Sequence, residues 1–85
     1  GSTIAPTPTA SSSTLRVQRT QAANATVRVY NLAGQQAMSS IQLDGNDRES
    51  AALILLDASE LVSGCYLVRI EHLEEVETLR WIISK

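Results

Sequence analysis

The chain has no phenylalanine and only one each of tryptophan, cysteine, histidine and methionine among 85 residues. Each scarcity removes a class of function. The lone Cys65 forbids an internal disulfide, so this small domain folds without a covalent staple. The lone His72, with no CxxC or HxxxH spacing, leaves no zinc-ligand set. No stretch approaches the roughly 18 apolar residues that a membrane helix requires, and the first residues do not read as a signal peptide. Basic residues number seven against nine acidic ones, for a net charge of −2. Six of the seven are scattered arginines, and the missing basic stripe argues against nucleic acid as a partner.

What remains is aliphatic. Hydrophobic residues make up 44% of the chain, so the core must come mainly from Val, Ile, Leu and Ala. A chain of this length is one domain and buries only about 60–65% of its unfolded surface. Gly1-Ser2 reads as a cloning scar, with the domain spanning 3–85 and cut from a longer protein.

The polarity pattern is that of short strands. Thr3–Ser13 (TIAPTPTASSS) reads alone as a linker or edge segment, because Pro6 and Pro8 remove two backbone donors. Leu15 and Val17 alternate with polar residues from Thr14 onward, and Val27 and Val29 share one face of Thr26–Tyr30. Asn31-Leu32-Ala33-Gly34 is a turn, with Gly34 at a positive φ. A return strand over Gln35–Leu43 places Ala37, Ile41 and Leu43 together. Asp44-Gly45-Asn46-Asp47 is the strongest turn signal. Ser50–Leu56 (SAALILL) lacks alternation and predicts a strand covered on both faces. Asp57-Ala58-Ser59-Glu60 predicts a capping box opening one helical turn that ends at Gly64. Strands follow over Cys65–Glu71, with Tyr66, Val68 and Ile70 on one face, and over Val76–Lys85, with Leu79, Trp81 and Ile83 on one face. His72–Glu75 is the hairpin turn between them. A strand about every ten residues and no long helix predict an antiparallel β-sandwich.

Candidates for chemistry are few. Cys65 and His72 have opposite parity on one strand and lie about 23 Å apart along it, which rules against a catalytic dyad. Cys65 reads as a small buried hydrophobe. The Asp44–Asp47 turn has Arg48 and Glu49 where a calcium loop needs an oxygen ligand and a glycine. Glu71, Glu74, Glu75 and Glu77 read as a solvated hairpin tip without the pocket that paired carboxylates need. Asn24-Ala25-Thr26 matches a glycosylation acceptor, a common tripeptide. Trp81 reads as core more than as a binding platform. No catalytic residue, cofactor or metal ligand is expected.

One set of motifs runs through the whole chain in order: Ile4-Ala5-Pro6-Thr7-Pro8, Leu15-Arg16-Val17, Val27-Arg28-Val29-Tyr30-Asn31-Leu32-Ala33-Gly34-Gln35, Gly64-Cys65-Tyr66-Leu67-Val68-Arg69-Ile70, and Arg80-Trp81-Ile82-Ile83-Ser84-Lys85. In order, spacing and position this resembles the C-terminal sorting domain of the type IX (Por) secretion system, the type A form found in Bacteroidetes. It departs from the family pattern at Ala5 and Thr7 in the first motif, at Cys65, and at the bulky Trp81.

The resemblance implies an all-β, Ig-like antiparallel β-sandwich of about seven short strands. It implies a non-catalytic signal, carried by a secreted or cell-surface cargo that passes through the periplasm to the outer-membrane surface. The expected partners are the outer-membrane translocon, a shuttle protein and a sortase complex. In cleaved members the sortase cuts near or before Thr3 and joins the cargo to anionic lipopolysaccharide. The residues expected to carry the signal are Pro6, Pro8, Tyr30, Asn31, Gly34, Gln35, Gly64, Tyr66 and the run Arg80, Trp81, Ile82, Ile83, Ser84, Lys85. A final strand this apolar, ending on Lys85, is expected to matter as a terminus. The alternative readings are a retained adhesion or binding sandwich, which needs Tyr30, Tyr66 and Trp81 clustered and exposed, and a module that dimerises through an open edge strand.

Overall fold

The computed structural model describes residues 1–18, 24–44, 51–72 and 75–85. Among these, seven strands form two antiparallel sheets that pack as a sandwich. β1 (Thr3–Ala5), β2 (Ser12–Gln18) and β5 (Ala51–Asp57) form a three-stranded sheet in the order β1-β2-β5. β3 (Ala25–Asn31), β4 (Ile41–Leu43), β6 (Gly64–His72) and β7 (Glu75–Ile83) form a four-stranded sheet in the order β4-β3-β6-β7. Consecutive strands that change sheet, β2 to β3, β4 to β5 and β5 to β6, give the crossed-over connectivity of an Ig-like sandwich.

The period-two alternation becomes burial directly. Leu15 and Val17 of β2, Val27 and Val29 of β3, Val68 and Ile70 of β6, and Trp81 and Ile83 of β7 are all buried in one aliphatic cluster. Leu56, Ala58 and Tyr66 complete it. With no phenylalanine to fill volume, Trp81 is the largest fully buried side chain.

Several local expectations need correction. The strand expected over 50–56, whose first residue lies outside the described residues, is not covered on both faces: β5 is an edge strand, with Ile54 and Leu56 turned to the core while Leu53 and Leu55 are 72% and 67% exposed. A run without alternation signals two apolar faces, and a second layer covers only one of them here. The return strand 35–43 shrinks to Ile41–Leu43 plus one bridge between Tyr30 and Gln36. Ala37 and Ile41 still pack against the core as expected.

No helical turn follows Asp57. Its Oδ1 accepts from Ser59 N at 2.9 Å, two residues on rather than three, and Leu61 N donates to Ala58 O at 3.0 Å. This is an Asx turn, and Glu60 stays exposed. Gly64 therefore ends no helix. It opens β6, and Gly34, at φ 84°, is the positive-φ glycine among the described residues.

The acidic hairpin is mostly strand. β6 continues to His72 and β7 begins at Glu75, so Glu71, Glu75 and Glu77 are ladder residues, with Glu71 in an ion pair with Arg28. Cys65 is half-buried and alternates with the core-facing Tyr66, so it lies on the outer face of the sheet and is not a buried core residue; His72 is buried on the opposite face. The Gly45–Asp47 part of the expected turn and Glu74 lie outside the described residues.

Candidate functional site

The segment 3–13 is a built part of the fold. Thr3–Ala5 pairs with β2 in one sheet, and the chain then crosses at Pro6–Pro8 to the other sheet, where Thr9 bridges Ile83 in parallel. Thr9 N donates to Ile82 O at 2.9 Å and Ser84 N donates to Thr9 O at 2.8 Å. Ile82 N donates to the Thr7 hydroxyl at 3.0 Å. Prolines cannot donate to a ladder, so Thr7 and Thr9, which alternate with them, supply the contacts. The result closes the free edge of β7 at its last residues, where an unpaired strand edge would otherwise be exposed.

The other side of β7 is held by the β6 ladder, from Gly64↔Ile83 to His72↔Glu75. Below it, the Trp81 indole N–H donates to Ser13 Oγ at 2.8 Å, and that hydroxyl donates in turn to Pro6 O at 2.5 Å. Ser13 is 1% exposed. A buried indole N–H needs an acceptor, and Ser13 both supplies it and ties it to the proline segment. Beside this chain, Tyr66 packs its ring against Trp81 with centroids 6.2 Å apart and donates its hydroxyl to Val62 O at 2.7 Å. That pins the corner between β5 and β6, as the tyrosine corner does in related sandwiches.

Beyond the strand, Lys85 N donates to Ser63 Oγ at 2.9 Å and Lys85 Nζ to Ser59 O at 3.0 Å. Asp57, which holds Ser59 through the same turn, has its carboxyl held below its ordinary range. The Ser59 backbone N–H is the main cause, with help from the Ser59 hydroxyl and the Lys85 charge.

The Tyr30–Gln35 motif forms a self-sufficient turn. Asn31 Oδ1 accepts from Ala33 N and from Gln35 N, both at 3.0 Å, and Asn31 N donates to Gln35 O at 2.9 Å. Gly34 N donates to Asn31 O at 3.1 Å, closing the turn around the left-handed glycine.

Register brings these pieces to one pole of the sandwich. Asn31 pairs with Tyr66, which pairs with Trp81. The residues named from the sequence therefore converge: Pro6, Asn31, Gly34, Gln35, Gly64, Tyr66 and Trp81–Lys85 occupy one end, with Tyr30 and Arg80 flanking Leu67 in the next row. Their accessibility differs. Trp81 and Ile83 are buried, whereas Arg80, Ser84 and Lys85 are exposed and Ile82 is 37% exposed. The sequence reading missed Thr7, Thr9 and Ser13. Their one signal was the alternation of threonine with proline in a stretch that otherwise looks like a linker.

A family model, the secretion system C-terminal sorting domain, matches residues 3–84. The chain belongs to that family. It is a type IX secretion C-terminal sorting signal, which implies a secreted or cell-surface cargo and interaction with the secretion machinery. Among curated proteins, none matches the chain. The sorting-domain match takes in both the proline segment and the end of β7, the two stretches that the fold clasps together.

Proposed function

We propose that the outer-membrane translocon recognises the clasped pole, reading Arg80 and Ile82 of β7 and the Ser84 and Lys85 just beyond it as a segment presented in a fixed pose, and that a sortase then removes the domain and joins the cargo to anionic lipopolysaccharide. Pro6, Pro8, Tyr30, Asn31, Gly34, Gln35, Gly64, Tyr66, Trp81 and Ile83 hold that pose. One observation carries the reading: the last residues of β7 are ordered from both sides, by β6 and by Thr7–Thr9, with Trp81 as the anchor beneath. A signal that must be read after folding needs such a surface more than it needs a pocket.

The test fuses residues 3–85 to a reporter in a type IX-competent cell and compares it with the same fusion lacking 81–85. The intact fusion is expected at the surface and the truncation in the periplasm; surface delivery of the truncation would sink the proposal.

A second reading is favoured by β5, an edge strand that exposes Leu53 and Leu55. It makes the domain a dimerisation module through that edge. The adhesive reading has less support, because Tyr66 and Trp81 are 5% and 0% exposed.

A further inference from the structure

The outward face of β3, β6 and β7 carries a charge pattern of its own. Register places Tyr30, Leu67 and Arg80 in one row, Arg28, Arg69 and Thr78 in the next, and Thr26, Glu71 and Val76 in a third. Neighbours across such rows lie about 5 Å apart and diagonal neighbours about 7–8 Å. Among the described residues of these rows, three guanidinium groups thus share the face with one carboxylate. Glu71 pairs with Arg28 and, at 3.5 Å, with Arg69 Nε. Arg80 is exposed and makes no ion pair among the described residues. Among the described residues the face carries a surplus of two positive charges, on a chain whose net charge is −2.

Beside Arg69 lies a groove of about 400 Å³, lined also by Tyr30, Leu32, Leu67, Val76 and Thr78, and Arg80 neighbours its Leu67 in the ladder. Leu32 and Val76 are 69% and 52% exposed there. Guanidinium groups prefer bidentate carboxylate or phosphate partners, so the occupant is anionic. The apolar half of the lining decides between an acidic polypeptide and a phosphorylated glycan. Leu32, Leu67 and Val76 bury less apolar surface against a hydroxyl-covered sugar phosphate than against the apolar side chains of an extended peptide whose alternate residues are acidic.

We propose that this face docks an extended acidic segment of a partner polypeptide, with Arg69 and Arg80 binding its carboxylates and Tyr30, Leu67 and Val76 receiving the side chains between them. Only the cellular arm of its test rests on the sorting-signal reading.

The full chain is titrated, by amide NMR at low salt, with a synthetic peptide of alternating Leu and Glu. Parallel titrations use a Leu–Lys peptide, inorganic phosphate and vesicles of anionic lipid. Saturable shifts at residues 28, 67, 69 and 80 with the acidic peptide are expected. R69E/R80E should weaken binding roughly tenfold or more while R69K/R80K retains part of it, as for charges at a complementary interface. Both side chains lie on the exposed face, and an unchanged melting temperature, with R80A as a milder variant, separates lost binding from lost folding. Absence of shifts on these strands, an equal response to the Leu–Lys peptide, or a response to phosphate or vesicles in place of the peptide would overturn the proposal. In cells, R69E alone, which leaves Arg80 in place, should reduce surface delivery of the reporter. Wild-type delivery of that variant, alongside failure of the 81–85 deletion, overturns the docking proposal and leaves the sorting reading intact. Peptide binding alongside periplasmic retention of the intact fusion does the reverse.

Discussion

The indole N–H of Trp81 finds its acceptor in the hydroxyl of Ser13, at 2.8 Å and 68 residues away in the chain. The bond spans the two sheets, joining the inner face of β7 to that of β2. It also sits directly under the clasp, because the same Ser13 hydroxyl donates to Pro6 O. One side chain thus couples the core, the proline segment and the strand proposed as the signal.

Ser13→Ala should therefore destabilise the domain more than a surface serine would. It leaves a buried donor unpaired, a loss of about 1–3 kcal/mol, or a melting-temperature drop of roughly 4–8 °C per kcal/mol for a domain of this size. In a Trp81→Phe background the same change should have a much smaller effect, since no indole N–H remains to be orphaned. A double-mutant cycle by urea denaturation measures the coupling. Equal costs in both backgrounds would show that the hydrogen bond contributes nothing beyond packing.

Gly34 and Gly64 should behave oppositely. At Gly34 a Cβ would meet nothing within 4 Å, but φ is +84°, so the cost of Gly34→Ala is conformational, about 1–2 kcal/mol. At Gly64 a Cβ would sit 3.8 Å from the Tyr66 ring, an ordinary contact without a strained φ. Gly64→Ala should change stability by less than about 1 kcal/mol. Chemical denaturation of the two variants gives the comparison directly. A Gly64→Ala penalty as large as that at Gly34 would contradict the assigned backbone.

These contrasts show where the sequence was legible. Val27 with Val29, and Leu79 with Trp81 and Ile83, are same-strand relationships at period two, and such patterns survive folding because the pleat enforces them. Asn31 and Gly34 were legible for a similar reason: the turn satisfies its own hydrogen bonds within five residues. Ser13 was not, because its partner lies across the sandwich and its neighbours are all small polar residues. Leu53 and Leu55 were misread because an apolar run does not say how many layers will cover it. Gly64 was misread because Asp57 can cap a helix or close an Asx turn with the same side chain, and the choice depends on where β6 must start. Of the candidate site, the composition of the pole was legible, but the clasp that holds it was not.

The exposed leucines of β5 predict weak association. A strand at the edge of its sheet among the described residues, with two large exposed apolar side chains, is a template for pairing with a second copy. Light scattering should show a concentration-dependent rise in mass for the full chain. Leu53→Lys with Leu55→Lys should abolish it, because charge on an edge strand opposes pairing, while leaving the melting temperature nearly unchanged. A strictly monomeric wild-type chain at high concentration would remove the dimerisation reading.

Acid should loosen the pole through Asp57. Its carboxyl titrates below the ordinary value of 3.8, chiefly because the Ser59 N–H binds the charged form and in part because Lys85 lies nearby. A depressed folded-state pKa means stabilisation that is present above the unfolded value and is lost as pH falls through the lower, folded one. The window thus opens just under pH 4 and extends downward. Asp57 is fully exposed, so the effect on global stability is small, but its local consequence is specific. Asp57 orders the turn whose Ser59 carbonyl accepts from Lys85 Nζ, and protonation weakens both the turn and the attraction. Asp57→Asn keeps an oxygen for Ser59 N–H but carries no charge. It should flatten this part of the acid limb while lowering stability slightly at neutral pH. Following the Ser84 and Lys85 amides by NMR from pH 6 to pH 2 in both proteins isolates the effect from the other carboxylates. Wild-type and Asp57→Asn curves that coincide would show that the charge plays no part in holding the last residues. Curves that differ at neutral pH and converge as the pH falls below 4 would establish that the pose of Lys85 depends on an ionised Asp57.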